Sequence, residues 1–101
     1  MRWSNTYDKN KIMQFEWDTQ KAKRNLKKHK VSFDEAMTVF YDPLSATFDD
    51  PDHSAKEERF ITIGYSSHSR LIVVSHTERG KTIRIISARP ATVHERKRHE
   101  S

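Results

Sequence analysis

The sequence predicts an α+β fold, in which two N-terminal helices pack on a mostly antiparallel, twisted sheet and a short helix closes the chain. Three observations predict it. Residues 13–17 alternate apolar and polar side chains, as a short strand does. Two helix-start signals follow, at Asp18 and at Ser32. Three apolar, strand-like segments then come in quick succession before Pro90.

The first helix is predicted to begin after Asp18, which has the side chain of an N-cap, and to run to about His29. Ala22 and Leu26 share one face with His29, at spacings of four and three, and should pack on the sheet. Basic residues surround that narrow stripe. Its lysines, including Lys27 and Lys28, form either a polyanion-binding surface or simply a solvated face.

A second helix is predicted from the Ser32-Phe-Asp-Glu35 segment, which has the form of a capping box. It should end before Pro43, because the residue that precedes a proline is pushed out of the helical region. Its buried side chains are expected to be Phe33, Ala36, Met37 and Phe40. The remaining predicted elements are a strand at 44–48, an acidic loop at 49–58, strands at 59–66, 70–77 and 81–89 joined by short hairpins, and a basic helix within 91–100.

Composition bounds the function. The chain has 101 residues, which suggests one domain, predicted at 13–101, after a polar and flexible extension at 1–12. A net charge of +5 favours a polyanionic partner such as RNA, DNA or an acidic protein, although a basic solvated surface is the alternative. The lack of cysteine excludes disulfides and thiolate chemistry. No apolar segment suits a membrane span or a signal peptide, so a cytoplasmic protein without membrane contact is expected.

Side-chain alternation along the last two strands places candidate chemical groups. His76 and Glu78 share one face of their strand with Ile72 and Val74, whereas Arg84 should share a face with Ala88. Arg84 sits inside a strongly apolar strand and therefore needs an anion. That anion is either Glu78 or Glu58 in an ion pair, or a bound phosphate, which suits a planar guanidinium.

Histidines are the natural candidates for proton transfer, because their unperturbed pKa of roughly 6.5 lies near working pH. His76 is the best placed, and a satisfied strand histidine is the alternative. His53, beside Asp52 in the acidic loop, is either a second acid–base group or an exposed loop residue. No histidine pair has the helical spacing of a zinc motif, so we expect neither a metal nor another cofactor.

Several motifs together resemble the BrnT family, the toxins of type II toxin–antitoxin pairs. The resemblance covers residues 13–98 and rests on Phe15-Glu-Trp-Asp18, Asn25-Leu-Lys-Lys-His29, Val31-Ser-Phe33, Phe40-Tyr-Asp-Pro43, Asp52-His-Ser54, Glu58-Arg-Phe-Ile-Thr-Ile-Gly64, His76-Thr-Glu-Arg79 and Arg84-Ile-Ile-Ser-Ala-Arg89. It implies a RelE-like ribonuclease fold and an mRNA interferase that acts free or on the ribosome. It also implies a ribbon-helix-helix antitoxin as partner, through which alone the complex reaches operator DNA.

These observations lead to the hypothesis of a metal-independent endoribonuclease toxin that inhibits translation. Arg84 is expected to stabilise the scissile phosphate, with His76 or Glu78 as proton acceptor and His53 as a secondary acid. Further RNA contacts are expected from Arg59, Arg79, Arg89, Lys27 and Lys28. The rival hypotheses are a non-catalytic module that binds nucleic acid or antitoxin, and a metal-dependent hydrolase.

Overall fold

The structure is a computed structural model and describes residues 13–50 and 58–101. The predicted extension at 1–12 and most of the acidic loop lie outside the described residues. In chain order the elements are β1 (Gln14–Glu16), α1 (Thr19–His29), α2 (Phe33–Thr38), a 3₁₀ turn (Val39–Tyr41), β2 (Ala46–Asp49), β3 (Phe60–Tyr65), β4 (Leu71–Arg79), β5 (Thr82–Pro90) and α3 (Val93–Glu100). The predicted α+β class is therefore confirmed.

The five strands form one sheet in the order β1-β5-β4-β3-β2. All neighbours are antiparallel except β1 and β5, which run parallel. Helices α1 and α2 pack on one side, which we call the helix face, and the other side is the outer face. The main core lies under the helices and consists of Val31, Phe33, Ala36, Val39, Ile72, Val74, Ile83, Ile85 and Ala88. A smaller apolar cluster on the outer face contains Ile63, Leu71 and Val73.

A β-bulge near the middle of the β4–β5 pair changes the predicted alternation. Ser75 pairs with Ser87, but the next residue, His76, pairs with Ile85, so Ile86 has no opposite residue. Beyond the bulge the parity of β5 is reversed. Ala88 consequently lies with Ile85 in the helix-face core, and the prediction that it shares the face of Arg84 is wrong.

Helix α1 begins as predicted, because the Asp18 carboxylate accepts hydrogen bonds from the backbone N–H groups of Gln20 and Lys21. The predicted packing face is confirmed at Ala22, which packs against the core, and is wrong at Leu26. Leu26 is 49% exposed, whereas Asn25 is buried. The Asn25 amide donates to the carbonyls of Val31 and Ala88 at 3.0 and 2.8 Å and accepts from the Ala88 N–H. A satisfied amide, rather than a leucine, fixes this helix to β5.

Helix α2 begins at Ser32, whose hydroxyl accepts from the Glu35 N–H at 3.0 Å, as a capping box requires. The reciprocal half of the box is absent, because the Glu35 carboxylate turns inward to other partners. Phe33 is buried as predicted, and Phe40 is half-buried against the same core. In the part of the chain that the structure describes, no helix is long and apolar enough to cross a membrane.

The turn between β4 and β5 is tighter than predicted. Strand β4 continues to Arg79, which leaves Gly80 and Lys81 as a two-residue hairpin turn. Gly80 has a φ of 59°, a left-handed conformation that glycine adopts without strain. Because the strands reach this far, Glu78, Arg79 and Arg84 are all held on regular backbone at one end of the sheet.

Candidate active site

The predicted phosphate-binding arginines occupy the outer face at both ends of β4 and β5. Arg84 pairs across the sheet with Thr77, Arg79 with Thr82, and Arg89 with Val73. Arg89 lies five positions after Arg84, which corresponds to roughly 16–17 Å at about 3.3 Å per residue. Arg79 and Arg84 therefore lie at the β4–β5 turn, and Arg89 lies at the opposite end of the sheet.

Arg84 has a different ion-pair partner from either predicted one. Its Nη1 lies 3.1 Å from Oε2 of Glu16, the residue opposite it on the edge strand β1. The Arg84 side chain is 39% exposed, so water solvates its charge and the side chain does not require Glu16 as a partner. A pair so accessible to water contributes little stability.

Arg89 holds the C-terminal helix against the sheet. Its guanidinium contacts the Glu95 carboxylate with two nitrogens, at 2.8 and 2.9 Å. This contact is the main cause that lowers the pKa of Glu95 to about 2. Glu95 also closes a capping box with Thr92 at the start of α3. Arg59 is half-buried just before β3, where its carbonyl accepts the Asp50 N–H at 2.9 Å.

The position of His76 excludes direct contact between its side chain and RNA. Its side chain is fully buried, edge-on to Phe40 and stacked on Phe60. Nε2 is hydrogen-bonded to the Thr62 hydroxyl at 2.7 Å, and burial lowers the imidazole pKa to about 4. Nδ1 is 3.6 Å from a Glu78 oxygen and has no hydrogen-bond partner in the described part of the chain. A neutral histidine enclosed by two phenylalanines cannot take a proton from a substrate on the surface.

Glu78 is half exposed at the β4–β5 turn, but on the helix face, opposite Ile83. It is thus on the other side of the sheet from Arg84 and Arg79. Lys27 and Lys28 are exposed in the last turn of α1. His53 lies outside the described residues. Within residues 13–50 and 58–101, no group of three or more histidine and carboxylate side chains could hold a metal ion.

Sequence reasoning missed a polar cluster at the β3–β4 turn, which we call the Glu35 cluster: Glu35, Ser66, His68 and Arg70. Arg70 contacts the two Glu35 oxygens through Nε at 2.9 Å and Nη2 at 2.5 Å. Ser66 donates its hydroxyl to Glu35 at 2.7 Å, and Nδ1 of His68 lies 3.4 Å from Oε1. The hydrogen bond from Arg70 is the largest cause that lowers the pKa of Glu35 to about 2.

One signal in the sequence could have revealed this cluster. Glu35 stands between Phe33 and Ala36, two residues that the helical pattern assigns to the core. A carboxylate on the buried side of a helix needs a cation and hydrogen bonds. The capping-box interpretation instead assigns Glu35 a local role at the start of α2.

A sequence model described as "Ribonuclease toxin, BrnT, of type II toxin-antitoxin system" matches residues 17–95. The chain belongs to the BrnT family. The resemblance in the sequence motifs is thereby confirmed, and so is the assignment to ribonuclease toxins of type II toxin–antitoxin systems. A search of curated proteins returned no match.

The fold of this BrnT-family chain is also that of a solved structure. The 1.1 Å crystal structure of the Brucella abortus ribonuclease toxin, BrnT, is similar with a TM-score of 0.61. The two sequences are 24% identical, and the match covers 80% of this chain and 99% of that one. At this identity the likeness shows a common fold and leaves the roles of individual residues to the local geometry.

Proposed function

We propose that this BrnT-family toxin is a metal-independent endoribonuclease that cuts mRNA and so inhibits translation. The observation that carries the proposal is the outer face of the sheet. It presents Arg79, Arg84 and Arg89 on regular strands. Guanidinium groups bind phosphate oxygens in a planar, bidentate way and stabilise charge that develops during phosphoryl transfer.

Arg84 is the best candidate for the contact with the scissile phosphate. Its pair with Glu16 is half exposed, so exchanging that carboxylate for a phosphate costs little. Thr77 supports this position, because it lies directly opposite Arg84 and its buried hydroxyl has no hydrogen-bond partner among the described residues. Arg59 and Arg79 are proposed to contact flanking phosphates, as are Lys27 and Lys28 on α1, which add affinity that falls with salt.

The reaction needs no metal if a base removes the proton from the RNA 2′-hydroxyl. The freed oxygen attacks the adjacent phosphorus, and the bond to the 5′-oxygen breaks as that oxygen takes a proton. Of the two acceptors expected from the sequence, only Glu78 is accessible, and it lies on the face away from Arg84. His53 is kept as the proposed secondary acid.

The proposed partner is an antitoxin of the ribbon-helix-helix type, through which the toxin reaches operator DNA. Its inhibitory segment is proposed to be acidic and to cover the outer face, because the chain carries a net charge of +5 and the same arginines would bind either polyanion. We also propose that the toxin acts in the cytoplasm, on free mRNA or on mRNA in the ribosome.

A second candidate function is a non-catalytic module that binds RNA or antitoxin. The burial of His76 favours it, since the histidine that the sequence offered as a base does not reach the surface. The ion pair between Arg89 and Glu95 also favours this second function, because the Arg89 guanidinium is already bound to a residue of α3.

Incubation of the purified chain with RNA, with and without EDTA, tests the proposal. Arg84→Ala is compared with Arg98→Ala, a matched variant at an exposed arginine of α3. We expect cleavage that survives EDTA, persists in Arg98→Ala and falls at least tenfold in Arg84→Ala. If RNA stays whole, the same proteins are added to a translation extract. RNA that remains whole there as well would refute the nuclease, and loss of activity in EDTA would refute metal independence.

A further inference from the structure

We propose that Glu16, on the edge strand β1, is the proton acceptor of the cleavage reaction and takes the proton of the 2′-hydroxyl next to the phosphate that Arg84 binds. This inference deepens the proposed ribonuclease function and rests on it. It assigns the acid–base role that buried His76 cannot fill and that Glu78, on the other face of the sheet, cannot fill beside Arg84. The supporting observation is a direct hydrogen bond between an accessible carboxylate and the guanidinium assigned to the scissile phosphate.

Glu16 lies on the outer face together with Arg84. Strands β1 and β5 run parallel, and Glu16 is the direct partner of Arg84 in their register. The preceding residue, Phe15, packs against the helix-face core, so strand alternation places Glu16 on the outer face. Nη1 of Arg84 donates to Oε2 of Glu16 at 3.1 Å. The carboxylate and the proposed phosphate ligand are thus on the same face and in contact.

Strand β1 fixes the backbone of Glu16, although the strand is short. The Gln14 N–H donates to the Lys81 carbonyl at 3.0 Å. The ring of Phe15 packs against the ring of Phe40, with centroids 5.4 Å apart. The carboxylate of Glu16 can therefore release its guanidinium partner and still remain beside it, because only its own side-chain torsions change.

Both side chains of the pair are open to RNA. Glu16 is 45% exposed and Arg84 is 39% exposed. The hydrogen bond to Glu16 uses Nη1, and a guanidinium has five N–H donors in all, so a phosphate can bind the same group next to the carboxylate. An anionic phosphate at this distance favours the protonated form of a carboxyl group, because like charges repel. Binding of the substrate therefore promotes proton transfer to Glu16.

A second guanidinium belongs to the same end of the outer face. Arg84 is directly opposite Thr77, and Arg79 follows Thr77 by two positions on β4, so the two arginines are diagonal neighbours. Backbones in such a diagonal pair lie about 7–8 Å apart, a distance that long side chains can bridge. Two cations outnumber the one carboxylate of Glu16, so the three groups together attract a phosphodiester and stabilise charge that develops on its oxygens.

The chemistry balances with water as the one further reactant. The proton of the 2′-hydroxyl passes to a carboxylate oxygen of Glu16, the 2′-oxygen bonds to phosphorus, and the bond from phosphorus to the 5′-oxygen breaks. The 5′-oxygen takes a proton from water, and the hydroxide so formed takes the proton from Glu16. The products are a 2′,3′-cyclic phosphate and a 5′-hydroxyl end, and the carboxylate is regenerated.

The test compares wild type, Glu16→Gln, Glu78→Gln and Glu100→Gln on the same RNA, alone or in a translation extract if the wild type requires it. Each variant loses one negative charge, and Glu100, a glutamate of α3 that is 48% exposed, is the matched control. We expect Glu16→Gln to lower kcat about 100-fold and to lose the acidic limb of the pH–rate profile, whereas Glu100→Gln cuts as the wild type does. Affinity of Glu16→Gln for a 2′-O-methylated RNA, which cannot be cut, should rise several-fold because Arg84 is released.

The opposite changes in rate and affinity distinguish a base from other roles of the pair. If Glu16 only positions Arg84, its replacement weakens binding, and if it only competes with the phosphate, its replacement leaves kcat unchanged. Either result, or a large loss confined to Glu78→Gln, overturns the inference and leaves the nuclease standing. A wild-type chain that spares RNA both alone and in a translation extract overturns the proposed function and this inference together.

Discussion

Between pH 8 and pH 5, lowering the pH is expected to destabilise this protein mainly through the burial of His76. The folded chain holds this imidazole neutral, with a pKa lowered from 6.5 to about 4 by burial. The unfolded chain binds a proton once the pH falls below about 6.5, whereas the folded chain does so only near pH 4. Stability from this group is thus fully present above pH 6.5 and is lost as the pH falls towards 4.

The magnitude follows from the shift. A difference of about 2.5 pKa units corresponds to about 3 kcal/mol over the whole range, and about 2 kcal/mol of it should be lost between pH 8 and pH 5. Glu78 does not reverse the sign, although it lies 3.6 Å from Nδ1, because its carboxylate is half exposed and screened by water.

Urea unfolding followed by circular dichroism between pH 8 and pH 5 measures this effect. His76→Leu removes the titrating group, and Thr62 keeps its hydrogen bond to Thr47 at 2.8 Å. We expect the variant to lose most of the pH dependence, whereas His94→Ala, which removes an exposed histidine, should retain it. A wild-type chain as stable at pH 5 as at pH 8, or an equal loss in His76→Leu, would refute the reasoning.

Three further predictions concern other contacts. Glu35→Gln should lower the free energy of unfolding at pH 7 by about 3 kcal/mol, because the Glu35 carboxyl has a pKa of about 2 instead of 4.5. This stabilisation is present above pH 4.5 and is lost as the pH falls towards 2. Urea unfolding at pH 7 and pH 3 measures it. Glu16→Gln should tighten RNA binding several-fold by releasing Arg84, as a filter-binding titration would show. Gly64→Ala should lower stability by about 1–3 kcal/mol in thermal unfolding, because its Cβ would lie 2.8 Å from that of Ser45.

Local signals in the sequence were sufficient for the elements of the fold. Asp18 and Ser32 start their helices where an N-cap side chain predicts, and Pro43 follows the end of the second helical segment. Such signals depend on a few adjacent residues and therefore do not depend on contacts with the rest of the chain. The same is true of the hairpin at Gly80, although the turn there is one residue shorter than predicted.

Contacts between residues that are distant in the sequence cannot be predicted from such local signals. The bulge opposite His76 arises from how two strands fit together, and a two-residue alternation carries no mark of it. Asn25 rather than Leu26 faces β5 because backbone groups of Val31 and Ala88 need partners there. The largest difference from the sequence-based expectation concerns the candidate site, because His76 is buried by Phe40 and Phe60, which come from distant parts of the chain.

Three arginines of the sheet each have a carboxylate partner, and the strength of the pairing ranks them as ligands for RNA. Glu35 is buried and rigid, so Arg70 keeps its partner and offers only its exposed side to a phosphate. Glu95 is held by a capping box, so freeing Arg89 would loosen α3. Glu16 lies on an exposed edge strand and is tied to Arg84 by a single contact, so a phosphate displaces it at the least cost. Phosphate exchange is therefore expected at Arg84 before it occurs at Arg70 or Arg89.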